Sequence, residues 1–201
     1  MLNPPTTERP ALGTSSEYFR KYINLVSDGN IIHILNKQET TIADYFSNIS
    51  DANWDLSYAA DKWSIKQTLL HIIDVERVMA YRALAIGRGD QSSLPSFDQN
   101  AYADSGSVEH RSGESLISEY RSVRKASISL FKNMKANDFN RLGIASNHPT
   151  SPLALAYIIA GHELHHLKIL KEKYMPLFSY CLLYTSPSPR DATLSRMPSS
   201  A

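Results

Sequence analysis

Four long stretches of the sequence carry apolar residues at intervals of three and four, a spacing that places them on one face of an α-helix. Polar residues such as Arg124 then fall on the opposite face, towards solvent. No stretch of β-branched residues alternates at a period of two, so we predict no strands. The fold class predicted is all-α, with helices over residues 30–50, 64–87, 113–135 and 151–174.

Capping signals mark where three of these helices begin. Ser64 and Gln67 have the spacing of a capping box at the start of the second helix. Ser112 is the expected cap of the third helix. Ser151 precedes Pro152, and a cap followed by proline at the first helical position predicts the start of the fourth helix.

The connection between the second and third helices, residues 88–111, is long and rich in Gly, Ser, Asp and Asn. It also carries Leu94, Phe97 and Tyr102, which indicates that it packs over another part of the chain. Loops of this length in compact domains are often functional. Two interpretations remain open: a lid over a site, and a crossover connection that closes the core.

The chain has the size of one domain, since 201 residues with 42% hydrophobic content can bury a substantial core. Residues 1–16 are polar and contain prolines, so we predict a disordered N-terminal arm. Residues 179–201 change abruptly to Ser, Pro and Thr, and we interpret them as an unstructured, non-native tail derived from sequencing-adapter read-through. The helical domain is therefore predicted over residues 17–178.

Charge and hydropathy exclude several classes of partner. Lys and Arg number 21 against 20 Asp and Glu, and no basic cluster with interleaved aromatics is present, so we expect no nucleic-acid partner. The first residues lack the pattern of a secretory signal. The apolar run from Leu153 to Gly161 is too short to span a bilayer. We expect a soluble cytoplasmic protein whose single cysteine, Cys181, forms no internal disulfide.

Three histidines form a candidate metal site. His162 and His166 are four residues apart and therefore share one face of the fourth helix, where both imidazoles can bind one ion. An ion such as zinc needs further ligands, and His71, in an apolar stretch of the second helix, is the natural third. The alternatives are a hydrogen-bonded core histidine at position 71 and a chance pair on a solvated face.

The segment from His162 to His166 also matches H-E-x-x-H, the zinc-binding motif of zincin metalloproteases. The elongated form of that motif requires glycine and histidine where this chain has Ile169 and Glu172. No convincing downstream ligand follows, and the strands of such folds are not predicted. A protease is therefore disfavoured.

With these helices and histidines, the chain resembles the DinB-like family (DinB/YfiT-like metalloenzymes) over roughly residues 20–175. The likeness lies in residues 22–26, 62–67 leading to His71, 74–78, 97–99 and 156–173. The resemblance implies a four-helix bundle with a long connection between helices two and three. It also implies a divalent metal, commonly nickel or zinc, held by His71, His162 and His166.

The activities known in this family include thiol S-transferases that use low-molecular-weight thiols, alongside members named metal-dependent hydrolases. Three protein ligands leave a metal position open for water or a thiolate, either of which loses its proton more easily there. The resemblance thus implies a metal-dependent enzyme acting on a small molecule, and family members are often homodimers. The alternative is a non-catalytic metal-binding or structural bundle, because fold membership alone does not select an activity.

Acidic residues beside the histidines are candidates for supporting roles. Glu163, next to the first ligand of the fourth helix, is a candidate general base or proton shuttle. Its alternative is a solvated carboxylate on the helix face. Asp74 and Glu76 follow His71 closely, and we assign them to hydrogen bonds around the site or to pairing with Arg77 or Arg82.

Overall fold

The structure is a computed structural model that describes residues 8–11 and 13–178. In chain order the elements are α1 (Glu17–Ile23), α2 (Ile31–Ser47), α3 (Ile65–Gly87), β1 (Ser93–Leu94), α4 (Gln99–Ser105), α5 (Gly113–Lys132), α6 (Ala136–Phe139), β2 (Gly143–Ala145), β3 (His148–Thr150) and α7 (Pro152–Ile169). The long helices α2, α3, α5 and α7 form the bundle, which confirms the predicted fold class. The last helix continues as a π-helix over Leu170–Tyr174.

The capping residues predicted from the sequence make the expected hydrogen bonds. The Gln67 backbone N–H donates to Ser64 Oγ at 3.2 Å, and the Ser64 N–H donates to Gln67 Oε1 at 2.8 Å, which completes the capping box of α3. Ser112 caps α5 and Ser151 caps α7 in the same way, each through its side-chain oxygen. These starts are confirmed because a cap acts within one helical turn.

The prediction of no strands is wrong. A small sheet has the order β1-β2-β3, with β1 parallel to β2 and β2 antiparallel to β3. Each strand has two or three residues, too few to show an alternating pattern. Ser146 and Asn147 form the two-residue turn between β2 and β3 with positive φ angles, as a type I′ hairpin requires. The sheet ties the connection after α3 to the segment before α7.

Helix α7 lies at the centre of the molecule. Every residue from Pro152 to Glu163 is buried, because α1, α2 and α3 pack around it. A helix that is apolar on all sides belongs in a core, which explains the apolar run seen in the sequence. Consecutive residues of α7 can therefore enter different buried environments. Among the described residues, no helix is long and apolar enough to cross a membrane.

The segment before α1 is partly described. Within the predicted arm, Arg9 pairs with Asp28 at 2.6 Å and donates to the carbonyl oxygens of Ile23 and Val26, so this part contacts the bundle. The predicted tail over residues 179–201, with Cys181, lies outside the described residues, as do residues 1–7 and Leu12 of the arm.

Candidate metal centre

The three predicted histidines converge between α3 and α7. His162 Nε2 lies 3.1 Å from His71 Nε2 and 3.1 Å from His166 Nε2. One nitrogen from each ring lies within 4.8 Å of the other two. The bundle thus brings His71 to the two α7 histidines across a separation of 91 residues from His162.

This arrangement fits a bound divalent ion. Two nitrogens bonded to one tetrahedral zinc at about 2.0–2.1 Å lie about 3.3–3.4 Å apart, close to the observed 3.1 Å. Hydrogen bonding alone serves the cluster poorly, because His162 Nε2 carries one proton or one lone pair and faces two ring nitrogens. Imidazole nitrogens suit zinc or nickel, whereas calcium and magnesium prefer oxygen.

Burial keeps these imidazoles in the form that binds metal. It lowers the pKa of His71 to about 4 and, aided by neighbouring His71 and His165, lowers the pKa of His166 to about 3. Burial, followed by the adjacent imidazoles, also holds the pKa of His162 well below its ordinary value. All three rings are neutral at pH 7 and offer lone pairs to an ion.

Two aromatic residues hold the imidazole rings in place, and sequence reasoning did not assign them this role. The Trp63 ring centre lies 4.6 Å from that of His71, and Tyr22 meets His162 edge-on at 5.3 Å. Both residues lie in segments that resemble the DinB-like family, and this resemblance is the feature of the sequence that could have identified them. His165 packs edge-on against Tyr22 and His166 and is outside the converging set.

Two cavities reach the histidines from different sides. The larger, about 570 Å³, extends to His162 between α1, α3 and the connection over residues 88–111. The smaller, about 380 Å³, extends to His166. Asn100 on α4 lines both cavities. The connection therefore forms a wall of the site, while its buried Leu94 joins the core.

The structure does not bring Glu163 to the histidines. Its Oε2 accepts hydrogen bonds from the Tyr120 hydroxyl and from Arg124 Nη2, each at 2.7 Å. Adjacent helical residues point about 100° apart, so Glu163 faces α5 while His162 faces the metal centre. Burial raises the pKa of Glu163, although Arg124 and Tyr120 oppose this shift. The alternative of a solvated carboxylate is wrong, because Glu163 is 0% exposed.

The structure corrects two other expectations and agrees with a third. Arg124, predicted to face solvent, is 0% exposed and makes a two-pronged ion pair with Glu76. Glu76, expected either to form hydrogen bonds around the site or to pair with Arg77 or Arg82, pairs with Arg124 instead. Asp74 pairs with Arg77 at 3.5 Å, one of the expected contacts. A sequence pattern does not reveal a buried arginine whose partners lie on two other helices.

Comparison with known proteins assigns the family. A family model of the DinB superfamily matches residues 34–170, most of the bundle. The solved structure of YfiT from Bacillus subtilis, described as a probable metal-dependent hydrolase with an unusual four-helix bundle topology, is similar at a TM-score of 0.63 and 14% identity, covering 87% of this chain and 96% of that chain. A search of curated proteins found no match. The chain therefore belongs to the DinB superfamily.

Proposed function

We propose that the protein is a metal-dependent enzyme acting on small molecules, with a nickel or zinc ion held by His71, His162 and His166. The convergence of three neutral ring nitrogens beside two cavities carries this proposal. The shared fold with YfiT, itself described as a probable metal-dependent hydrolase, supports it.

His71, His162 and His166 would hold the ion with one coordination position free, and a bound ion would lower the pKa of a water or thiol in that position. The protein contributes the conditions for this chemistry. Burial holds the imidazoles neutral, and Trp63 and Tyr22 pack against two of the rings so that their orientation is restricted.

The two cavities favour a thiol S-transferase over a hydrolase. In such a transfer, a sulfur–carbon bond forms, the bond from that carbon to its leaving group breaks, and the thiol proton departs with the leaving group. Both substrates must meet at one centre. The larger cavity reaches His162 and the smaller reaches His166, which offers one space for each substrate. A hydrolase of the kind ascribed to YfiT needs one organic substrate and is the second candidate.

Metal binding is tested by elemental analysis of the purified full chain. We expect a stoichiometric amount of nickel or zinc in the wild-type protein and its loss in His162→Ala. His165→Ala is the matched control, because His165 lies on the same helix outside the converging set, and it should retain the metal. Wild-type protein that takes up no stoichiometric divalent metal would contradict the proposal.

Turnover is tested separately from binding. In cobalt-substituted protein, an added low-molecular-weight thiol should change the visible spectrum, because an open position accepts it. A closed and unresponsive centre would instead favour a structural metal site. Assays with a panel of thiols and electrophiles then distinguish the two activities: consumption of the electrophile that requires thiol indicates the transferase, and consumption without thiol indicates the hydrolase.

A further inference from the structure

Arg82 is a buried cation that lines the larger cavity and forms no ion pair with any described residue. The residue is 3% exposed, and its Nη2 donates to the Pro95 carbonyl oxygen at 2.6 Å and to Ser146 Oγ at 2.9 Å. Its Nη1 contacts Met79 Sδ at 3.7 Å. These partners are neutral, and among the described residues no Asp or Glu forms an ion pair with Arg82. The Phe97 ring, whose centre lies 5.9 Å from Arg82 Cζ, stabilises the cation in part, but no carboxylate in the described part of the chain compensates its positive charge.

The Arg82 guanidinium also has more N–H donors than these contacts use. It carries five N–H groups and remains protonated at neutral pH. The contacts above use three of them, so within the described part of the chain two N–H groups, including that of Nε, have no acceptor. An unpaired buried charge is costly to the fold. An anion in the cavity could accept hydrogen bonds from these N–H groups.

Arg82 and the metal centre share one wall of the cavity. Arg82 follows His71 by 11 positions on α3, which at 3.6 residues per turn brings both to the same side of the helix within about 20° and about 16 Å apart along its axis. Val75 and Met79 lie between them and line the same cavity, which ends at His162. One elongated molecule can therefore contact Arg82 and approach the histidines.

We propose that this cavity binds a small organic carboxylate whose anionic end is held by Arg82 and whose apolar body lies along Val75 and Met79 towards His162. The part of the proposal that orients the molecule towards the histidines rests on the proposed function. The planar guanidinium matches a carboxylate in shape. The same cavity is lined by Asp98, whose Oδ1 accepts hydrogen bonds from the Asn100 and Ala101 backbone N–H groups at the start of α4 and not from Arg82.

The test is isothermal titration of the full chain with acetate, butyrate, phenylacetate and 4-phenylbutyrate, each beside its neutral amide. The apolar side chains of Val75 and Met79 should favour phenylacetate or 4-phenylbutyrate, each bound more tightly than its amide. Arg82→Gln should weaken that binding on the order of ten- to a hundredfold, as loss of a hydrogen bond to a charged group does. Arg77→Gln is the control, because Arg77 lies on the same helix and pairs with Glu119 outside the cavity.

Repeating the titration on His162→Ala separates this proposal from the metal. Carboxylate binding that persists there and still depends on Arg82 supports the proposal even if the chain binds no metal. Binding lost in His162→Ala but kept in Arg82→Gln overturns it, because the carboxylate would then occupy the metal centre. Equal affinity for acids and amides across the panel also overturns it.

If Arg82→Gln does not fold, an NMR measurement on the wild-type protein provides a second test. With ¹⁵N-labelled arginine, the Nε–H resonance of Arg82 should shift when phenylacetate is added and stay in place with phenylacetamide. A resonance that responds to neither compound or equally to both would overturn the proposal.

Discussion

At the residue scale, His162 and Glu163 show how one helix serves two buried environments. His162 faces the two other imidazoles, whereas Glu163 faces Tyr120 and Arg124 on α5. We interpret Glu163 as a residue that anchors α7 to α5 and so positions its neighbour. This interpretation replaces proton transfer as its role.

Replacing Glu163 by alanine should destabilise the protein without emptying the metal centre. Breaking a buried ion pair costs about 3–5 kcal/mol, and we expect the lower end because Arg124 keeps its pairing with Glu76. Urea denaturation measures the free energy of unfolding, and elemental analysis measures the metal.

Glu172→Ala provides the comparison for this experiment. Glu172 is exposed and lies 3.8 Å from Lys168, so its loss should change stability by less than about 0.5 kcal/mol. If Glu163→Ala kept wild-type stability and metal but abolished turnover, Glu163 would be a general base after all.

At the element scale, the crossing of α1 over α7 shapes both the cavity and the metal centre. A Cβ atom added at Gly161 would overlap the carbonyl oxygen of Tyr22. Tyr22 also lines the larger cavity and contacts His162. Glycine at this position thus allows α1 to approach closely enough to cover the site.

We expect Gly161→Ala to displace α1, because backbone atoms of Tyr22 cannot give way as a flexible side chain can. Overpacking of this kind costs about 1–3 kcal/mol, and metal loss to a chelator should be faster. Gly87→Ala is the milder counterpart, since its added Cβ would meet the flexible end of Met134 at 3.0 Å. Equal stability and metal retention in both variants would show that the crossing is not critical.

At the scale of the whole molecule, an ion in this centre would join α3 to α7. Its ligands assemble only in the folded state, so binding adds to the stability of that state. An ion at a thousand times its Kd stabilises by about 4 kcal/mol, which corresponds to about 8–16 °C in Tm for a chain of this size.

Chelation should therefore lower the Tm of wild-type protein, and restored metal should raise it again. The Tm of His162→Ala should not respond to either treatment. A wild-type Tm that is unchanged after confirmed removal of the metal would contradict a site that links the two helices. Differential scanning calorimetry provides the measurement.

The sequence by itself determined the long helices and part of the site. Apolar periodicity and capping act within a few residues, so the starts at Ser64, Ser112 and Ser151 could be read directly. The spacing of His162 and His166 is equally local, because four residues make about one turn. Helix α1 and the three strands were missed, since segments of two to seven residues are too short to show a period.

Only the tertiary structure decided which distant residues meet. His71 reaches the other two histidines only because α3 packs against α7. Arg124 is buried because Glu76 and Glu163 reach it from two other helices. That no described carboxylate pairs with Arg82 is known only once its neighbours from other segments are placed. Interactions between helices depend on which faces pack together, and no pattern along a single segment carries that information.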